Sequence, residues 1–181
     1  MRIVTANVNG IRAAARRGGV AQLAACGADA IALQEVRATD AQLAEVLAEA
    51  GMAHWHVAHT EAAAKGRAGV AVLTRAPHLA VRVGPGSAEF ADAGRWVEVD
   101  VEAPADVVAG GRLTVASVYV HTGEATDPLR QDEKHRFLAA CEERLRALGE
   151  RSRRGRGEAV VCGDLNVARS ERDIKNWRGN R

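Results

Sequence analysis

Residues 159–166 read AVVCGDLN, and this stretch decides how the fold is interpreted. An apolar, β-branched run predicts a strand, and Gly163 at its end lets other groups approach the backbone closely. Asp164 and Asn166 follow, two residues apart, which places both side chains on one face of an extended chain. We therefore expect a carboxylate and an amide at a strand end, where a phosphate, a metal ion or a water molecule could meet them.

Length and composition predict a globular protein of one domain. The chain has 181 residues, 47% of them hydrophobic and 27% charged, and its net charge of +2 excludes a histone-like polycation. No apolar run approaches the roughly 20 residues of a membrane span, and residues 1–5 enter a strand pattern without the features of a signal peptide. The three widely spaced cysteines argue against a disulfide framework and against a zinc site. We expect a cytoplasmic monomer that does not associate with membranes.

The order of elements predicts a strand-rich α/β fold. Several neighbouring strands have antiparallel patterns, and the chain contains no glycine-rich dinucleotide motif or P-loop, which excludes a doubly wound parallel sheet. A basic loop at residues 151–157 is expected to be solvated and to precede the strand quoted above. The other predicted strands are residues 1–8, 30–33, 55–59, 69–74, 95–101 and 113–120, and the predicted helices are residues 19–26, 40–50 and 128–148.

Polar side chains follow four of the predicted strands. A single polar residue after a strand is explained by turn formation. Polar residues after four strands instead favour a ligand site built on the loops at the strand ends. The set is rich in oxygen and lacks sulfur or several histidines, which suits Mg²⁺. One carboxylate holding the metal and another orienting a water molecule would serve phosphoryl transfer. The residues are Asn7 with Asn9, Glu35, Tyr119 with His121, and Asp164 with Asn166.

Two further features have competing interpretations. His121 either faces the same site as Tyr119 or is a solvated loop histidine. Trp177 lies in residues 173–181, DIKNWRGNR, where an aromatic ring among basic and amide groups predicts contact with a nucleic-acid backbone. The alternative for this segment is a polar surface loop.

Taken in order, the motifs resemble those of the exonuclease III family of abasic-site endonucleases, within the endonuclease/exonuclease/phosphatase superfamily. The resemblance implies a DNase I-like four-layer α/β sandwich with two mixed, largely antiparallel sheets. It covers the whole chain and is carried by residues 7–12 (NVNGIR), 33–35 (LQE), 65–71 (KGRAGVA), 163–168 (GDLNVA) and 173–176 (DIKN), together with Tyr119.

The resemblance also implies a role for each matching residue. Glu35 is similar to the principal metal ligand, with Asn7 beside the metal, and the cofactor is Mg²⁺, for which Mn²⁺ can substitute. Tyr119 matches the tyrosine that contacts the scissile phosphate, Asp164 the aspartate that positions the attacking water, and Asn166 its companion. The residues expected to contact DNA are Arg67, Lys175, Asn176, Trp177 and Arg178.

The implied reaction is hydrolysis of the phosphodiester 5′ to an abasic site in double-stranded DNA, with 3′–5′ exonuclease and 3′-phosphodiesterase activities at 3′ ends. The family's further aspartate and final Ser-Asp-His have no match here, so we expect residues 1–181 to be one domain that lacks its C-terminal portion. Such a chain is expected to be nearly inactive and poorly stable on its own. Two alternatives are a phospholipid or inositol-phosphate phosphoesterase of the same superfamily and a non-catalytic DNA-binding module.

Overall fold

The computed structural model describes residues 1–64, 66–124, 126–174 and 177–179, which contain eight strands and four α-helices. None of the helices in these ranges is long and apolar enough to cross a membrane. The strands are β1 (Ile3–Asn7), β2 (Ala30–Gln34), β3 (His56–Thr60), β4 (Val70–Thr74), β5 (Ala80–Val83), β6 (Trp96–Glu102), β7 (Arg112–Tyr119) and β8 (Glu158–Asp164). The helices are α1 (Ile11–Arg16), α2 (Gly19–Ala25), α3 (Asp40–Glu49) and α4 (Pro128–Arg153).

The strands form two mixed sheets, as predicted. The first sheet has the order β1-β2-β4-β3 and the second β5-β6-β7-β8. Only β1–β2 and β7–β8 are parallel among the pairs that the structure describes, and the other pairs are antiparallel. Strand β5 was not predicted, because it has only four residues and its two valines are about half exposed at a sheet edge. Helix α1 was also missed.

Apolar residues fill the three spaces between four layers. Ile31 and Leu33 of β2 pack against α1, α2 and α3 on the outer face of the first sheet. Their neighbour Ala30 points the other way, into the layer between the sheets. On the outer face of the second sheet, Trp96 packs with Phe137 of α4. The predicted α/β/β/α sandwich is therefore confirmed.

Helix α4 is anchored to the second sheet by buried charges. Glu98 is fully buried and accepts hydrogen bonds from Arg82 and Arg144. Burial alone would raise the pKa of Glu98, but the two guanidinium groups outweigh it and lower the pKa. The prediction that Arg151 lies in a solvated loop is wrong, because α4 continues through this position and the Arg151 Nη1 atom lies 3.4 Å from Asp100 Oδ1. The local run of basic residues predicted a solvated loop, but pairing of Arg151 with a buried carboxylate of the second sheet keeps it in the helix.

Candidate active site

Four strand ends meet at one edge of the sandwich. Asn7 is the last residue of β1 and Glu35 follows β2, while Tyr119 ends β7 and Asp164 ends β8. Because β1 runs parallel to β2 and β7 runs parallel to β8, each pair delivers its carboxyl ends to the same edge. Strand β1 packs against β8 across the sandwich, so the two pairs come together. The structure thus brings Asn7, Glu35, Tyr119 and Asp164 together at one edge, as their positions after predicted strands suggested.

The amide of Asn7 joins two carboxylates that belong to different sheets. Its Nδ2 atom donates to Glu35 Oε1 at 2.8 Å and to Asp164 Oδ2 at 2.9 Å. Its Oδ1 atom accepts the backbone N–H of Asn9 at 3.0 Å, which fixes the orientation of the amide. Both hydrogens of one NH₂ group therefore face the space between Glu35 and Asp164.

Asp164 and Asn166 are coupled through a turn rather than through strand alternation. Strand β8 ends at Asp164, and Asn166 has a left-handed backbone with φ of 47°. The backbone N–H of Asn166 donates to Asp164 Oδ1 at 3.0 Å, and its side-chain Nδ2 donates to Val120 O at 2.8 Å. Each oxygen of the Asp164 carboxylate thus accepts one hydrogen bond, so the group is held in a defined orientation. The expectation that both side chains project from one extended face is wrong.

Glu35 is held in an unusual backbone conformation. It is 9% exposed, its φ is 53°, and its Oε2 atom pairs with Arg37. Asn9 and Asn166 also have positive φ, at 46° and 47°. Residues other than glycine adopt this region at a cost of about 1–3 kcal/mol each, and such residues cluster at functional sites. The strain here coincides with the loops that carry the site.

Tyr119 is packed against a cation that the sequence did not reveal as part of the site. The guanidinium of Arg95 lies 4.7 Å from the centroid of the Tyr119 ring, and Arg95 Nη1 donates to Tyr119 O at 3.2 Å. Burial and the negative charge of Glu35 raise the pKa of Tyr119, so its hydroxyl stays protonated at neutral pH and can act as a donor.

Three cations were missed by sequence reasoning. Arg95 reaches Tyr119 because Trp96 opposes Val118 in the β6–β7 register, which no local pattern discloses. Lys134 of α4 donates to Asn166 O at 2.7 Å, a contact across 32 residues of chain. Arg37 carried a usable signal, since a cation two residues after Glu35 could have been recognised as its partner.

His121 packs against two aromatic rings, and its Nδ1 atom lies 3.5 Å from Glu133 Oε2. Its side chain is 12% exposed, with the rings of Phe90 and Phe137 at centroid distances of 6.2 and 5.2 Å. Burial, with a smaller effect of the Arg95 charge, lowers the pKa of His121 to about 4. The interpretation as a solvated loop histidine is wrong, because the side chain is covered by α4 and the Phe90 loop.

The residues expected to contact DNA are only partly covered by the structure. Arg67 is exposed and lines a depression with Arg12 and with Arg37, the residue that pairs with Glu35. Trp177 is half-buried and Arg178 is exposed, in a short 3₁₀ turn at Trp177–Gly179. Lys175 and Asn176 lie outside the described residues.

The donor set at this edge fits a hard divalent cation. Glu35 and Asp164 place two carboxylates on either side of one amide, and oxygen donors of this kind are those that Mg²⁺ prefers. Asn7 presents its NH₂ group to both carboxylates, while its oxygen accepts the backbone N–H of Asn9.

A second group of potential ligands lies where β3 ends and α3 begins. The ligand atoms of Asp40, His59 and Glu61 lie within 4.8 Å of one another. His59 Nδ1 is 2.7 Å from Asp40 Oδ1, and Glu61 accepts the backbone N–H of Asp40 at 3.1 Å. These bonds tie β3 to the beginning of α3, while the buried Nε2 atom of His59 has no hydrogen-bond partner among the described residues.

Comparisons with known proteins agree with the geometry. Residues 4–181 match the profile of the Endonuclease/Exonuclease/phosphatase family. An exodeoxyribonuclease of Bacillus subtilis is 30% identical, and the match covers 100% of this chain and 64% of that protein. The DNA repair nuclease APEX1 of Danio rerio is 29% identical over 100% of this chain and 54% of its own length. This chain therefore spans about half to two thirds of the length of these two relatives.

Comparison with solved structures also finds similarity to nucleases. A solved 3′-5′ exonuclease from Neisseria meningitidis superimposes with a TM-score of 0.75 and 26% sequence identity, covering 99% of this chain and 63% of the other. The expected DNase I-like sandwich is thus confirmed, as is the resemblance to nucleases of the exonuclease III type. On these grounds, the chain belongs to the Endonuclease/Exonuclease/phosphatase family.

Proposed function

We propose that this chain carries most of the active site of a Mg²⁺-dependent DNA-repair nuclease that hydrolyses the phosphodiester 5′ to abasic sites. The observation that carries the proposal is the bridge from Asn7 to both Glu35 and Asp164, which brings two carboxylates together at facing strand ends. Such a pair suits phosphodiester hydrolysis, because one carboxylate can hold a cation while the other activates water. Relatives named as an exodeoxyribonuclease and a DNA repair nuclease support this class of reaction.

In this proposal, Asp164 positions the attacking water and accepts its proton. Hydrogen bonds from Asn7 and from the Asn166 backbone hold the two carboxylate oxygens, so the base is oriented before substrate arrives. The bond from the water oxygen to phosphorus forms as the bond from phosphorus to O3′ breaks. Tyr119 donates its hydroxyl hydrogen to a non-bridging oxygen, which its raised pKa allows at neutral pH.

Glu35 is the residue that would hold the cation, with Asn7 beside it. When bound, Mg²⁺, or Mn²⁺ in its place, neutralises charge on the scissile phosphate. Arg37 balances the second oxygen of Glu35, and this pairing limits the negative charge of the site in the absence of substrate.

The proposed substrate is double-stranded DNA with abasic sites or with 3′ ends that are trimmed in the 3′–5′ direction. Arg67 and Arg12 line the depression beside Glu35 and are suited to phosphates of the backbone. Lys175, Asn176, Trp177 and Arg178 are proposed to contact DNA on the basis of the sequence. We further propose that the protein is cytoplasmic and monomeric.

The test is cleavage of an abasic-site duplex, with Mg²⁺ and with EDTA, by the wild-type chain and by Asp164→Asn. Because the chain lacks the family's C-terminal residues, we expect weak Mg²⁺-dependent cleavage 5′ to the abasic site, abolished by EDTA and reduced roughly 100-fold or more in the variant. Glu142→Gln is the matched control, since its carboxylate is exposed on α4 and pairs with Arg146. Equal cleavage by wild type and Asp164→Asn would overturn the role of Asp164.

The same assay separates the alternatives. Hydrolysis of a phospholipid or inositol phosphate, with no cleavage of the duplex, would replace the proposed substrate. Binding to the duplex that depends on salt but not on Mg²⁺, without cleavage, would indicate a DNA-binding module.

A further inference from the structure

Two polar side chains interrupt the apolar layer between the sheets. Gln34 of β2 is 1% exposed and Ser117 of β7 is fully buried. Gln34 Nε2 donates to Ser117 Oγ at 2.9 Å, and Ser117 Oγ donates to the backbone oxygen of Leu33 at 2.8 Å. The buried apolar members of this layer are alanines, valines and a leucine. Burying two polar groups is costly, and here the cost is offset by bonds that run from one sheet to the other.

The pair lies directly behind the candidate active site. Gln34 precedes Glu35, and Ser117 lies two residues before Tyr119 on the same strand. Ser117 is also the register partner of Cys162 in β8, two residues before Asp164. On the cleft side, Thr5 of β1 donates to Gln34 Oε1 at 3.3 Å. Every strand that supplies the site is therefore bonded to this pair or paired with it.

Hydrogen bonds constrain the sheets more sharply than apolar packing does. Two sheets pack about 10 Å apart through side chains that can slide and repack, and their separation is an average over many weak contacts. A hydroxyl bonded to a backbone carbonyl of the opposite sheet requires a donor–acceptor distance close to 2.8 Å and a restricted angle. The contact from Ser117 to Leu33 O thus sets the local separation of β2 and β7.

We propose that Gln34 and Ser117 are positioning residues that fix the distance between the Glu35 side of the site and the Tyr119–Asp164 side. Ser117 is fully buried, and Gln34 is 1% exposed in the wall of the cleft that Asn7 and Asp164 line, so both act through the strands that they join. The expected effect on the cleavage rate rests on the function proposed above, whereas the expected effect on the spacing of the two sheets does not.

The geometric consequence can be measured without metal or substrate. The side-chain amide of Asn7 bonds to Glu35 and to Asp164, so its two hydrogens report whether the sheets keep their separation. In ¹⁵N-labelled wild-type chain, the chemical shifts of these two hydrogens are expected to differ from those of a free amide. In Gln34→Met combined with Ser117→Ala, we expect both chemical shifts to move to the values of a free amide.

The double variant tests whether the change arises only from destabilisation by an unpaired buried amide. Ser117→Ala alone leaves Gln34 buried without its acceptor, which destabilises the fold, whereas removing both members leaves fewer unpaired groups. We therefore expect the urea midpoint of the double variant to lie above the value obtained by adding the two single effects. Thr74→Val is the matched control, because Thr74 is 1% exposed in the same sheet but lies at the opposite end of β4. It is expected to leave the Asn7 resonances unchanged.

The outcomes are distinct. Unchanged Asn7 resonances in a folded double variant would overturn the positioning role, and so would an equal change in Thr74→Val. If the Asn7 resonances change but wild-type chain cleaves no abasic duplex, the positioning role holds and the nuclease proposal fails. If wild-type chain does cleave, the double variant is expected to lose roughly 10- to 100-fold in kcat with little change in KM.

Discussion

Asn7 and Asp164 are separated by 157 positions in the chain, yet Asn7 Nδ2 lies 2.9 Å from Asp164 Oδ2. The two residues end β1 and β8, which are edge strands of different sheets. This bond therefore joins the two halves of the sandwich at the edge where the site is formed. Loss of the bond should therefore lower the cleavage rate while leaving the free energy of unfolding nearly unchanged.

Asn7→Ala is expected to reduce cleavage of an abasic duplex roughly 100-fold, because Glu35 and Asp164 lose the donor that orients them. The free energy of unfolding should change by only about 1 kcal/mol, since Asn7 is exposed on an edge strand. Single-turnover cleavage and urea denaturation measure the two effects. Asn9→Gly is the control, since Asn9 contributes only its backbone N–H to Asn7 and has a φ of 46° that glycine adopts freely. Equal loss in both variants would contradict the role of the Asn7 side chain.

Tyr119→Phe is expected to reduce the cleavage rate roughly 10- to 100-fold, because a hydrogen bond to a charged phosphate oxygen is removed. Stability should be nearly unchanged, as the aromatic ring still packs against Arg95. Thermal unfolding and single-turnover kinetics distinguish the hydroxyl from the ring, particularly if Tyr119→Leu is included. A wild-type rate for Tyr119→Phe would remove the hydroxyl from the proposed chemistry.

Gly163→Ala is expected to destabilise the fold by about 3 kcal/mol or more. A Cβ atom at this position would lie 2.0 Å from Val118 O, and the φ of 148° is unfavourable for any other residue. The carbonyl cannot retreat, since it belongs to β7 in the parallel pair that carries Asp164. Urea unfolding provides the measurement, and Gly155→Ala is the control because its φ is 64° but no atom lies within 4 Å. A similar loss in both variants would show that φ, and not close packing, is decisive.

His121 is expected to make stability depend on pH between 6.5 and about 4. Its pKa is lowered in the folded chain, so the unfolded chain binds a proton first as the pH falls. The contribution of neutral His121 to the free energy of unfolding is therefore complete above pH 6.5. It is lost progressively towards pH 4, by up to about 3 kcal/mol. His121→Phe, which keeps a ring between Phe90 and Phe137, should flatten the profile in this range. Urea titrations across the range test this, and identical slopes for both proteins would contradict it.

Local patterns predicted much of the fold. Alternation and apolar runs placed seven of the strands close to their observed bounds, and Asp40 and Pro128 correctly indicated where helices begin. These local patterns did not predict elements whose presence or length depends on tertiary contacts. Strand β5 is short and half-exposed, and α4 runs past its last apolar residue because Arg151 reaches Asp100 in the second sheet.

The sequence alone determined which chemical groups stand at the strand ends, because a polar residue after an apolar run is a local feature that survives any packing. Asn7, Glu35, Tyr119, Asp164 and Asn166 could all be named from it. Only the tertiary structure decided how they meet: which amide bridges the carboxylates, which cation covers Tyr119, and which buried pair sets the spacing. Those relationships depend on strand register and sheet separation, which arise from contacts between residues far apart in the chain.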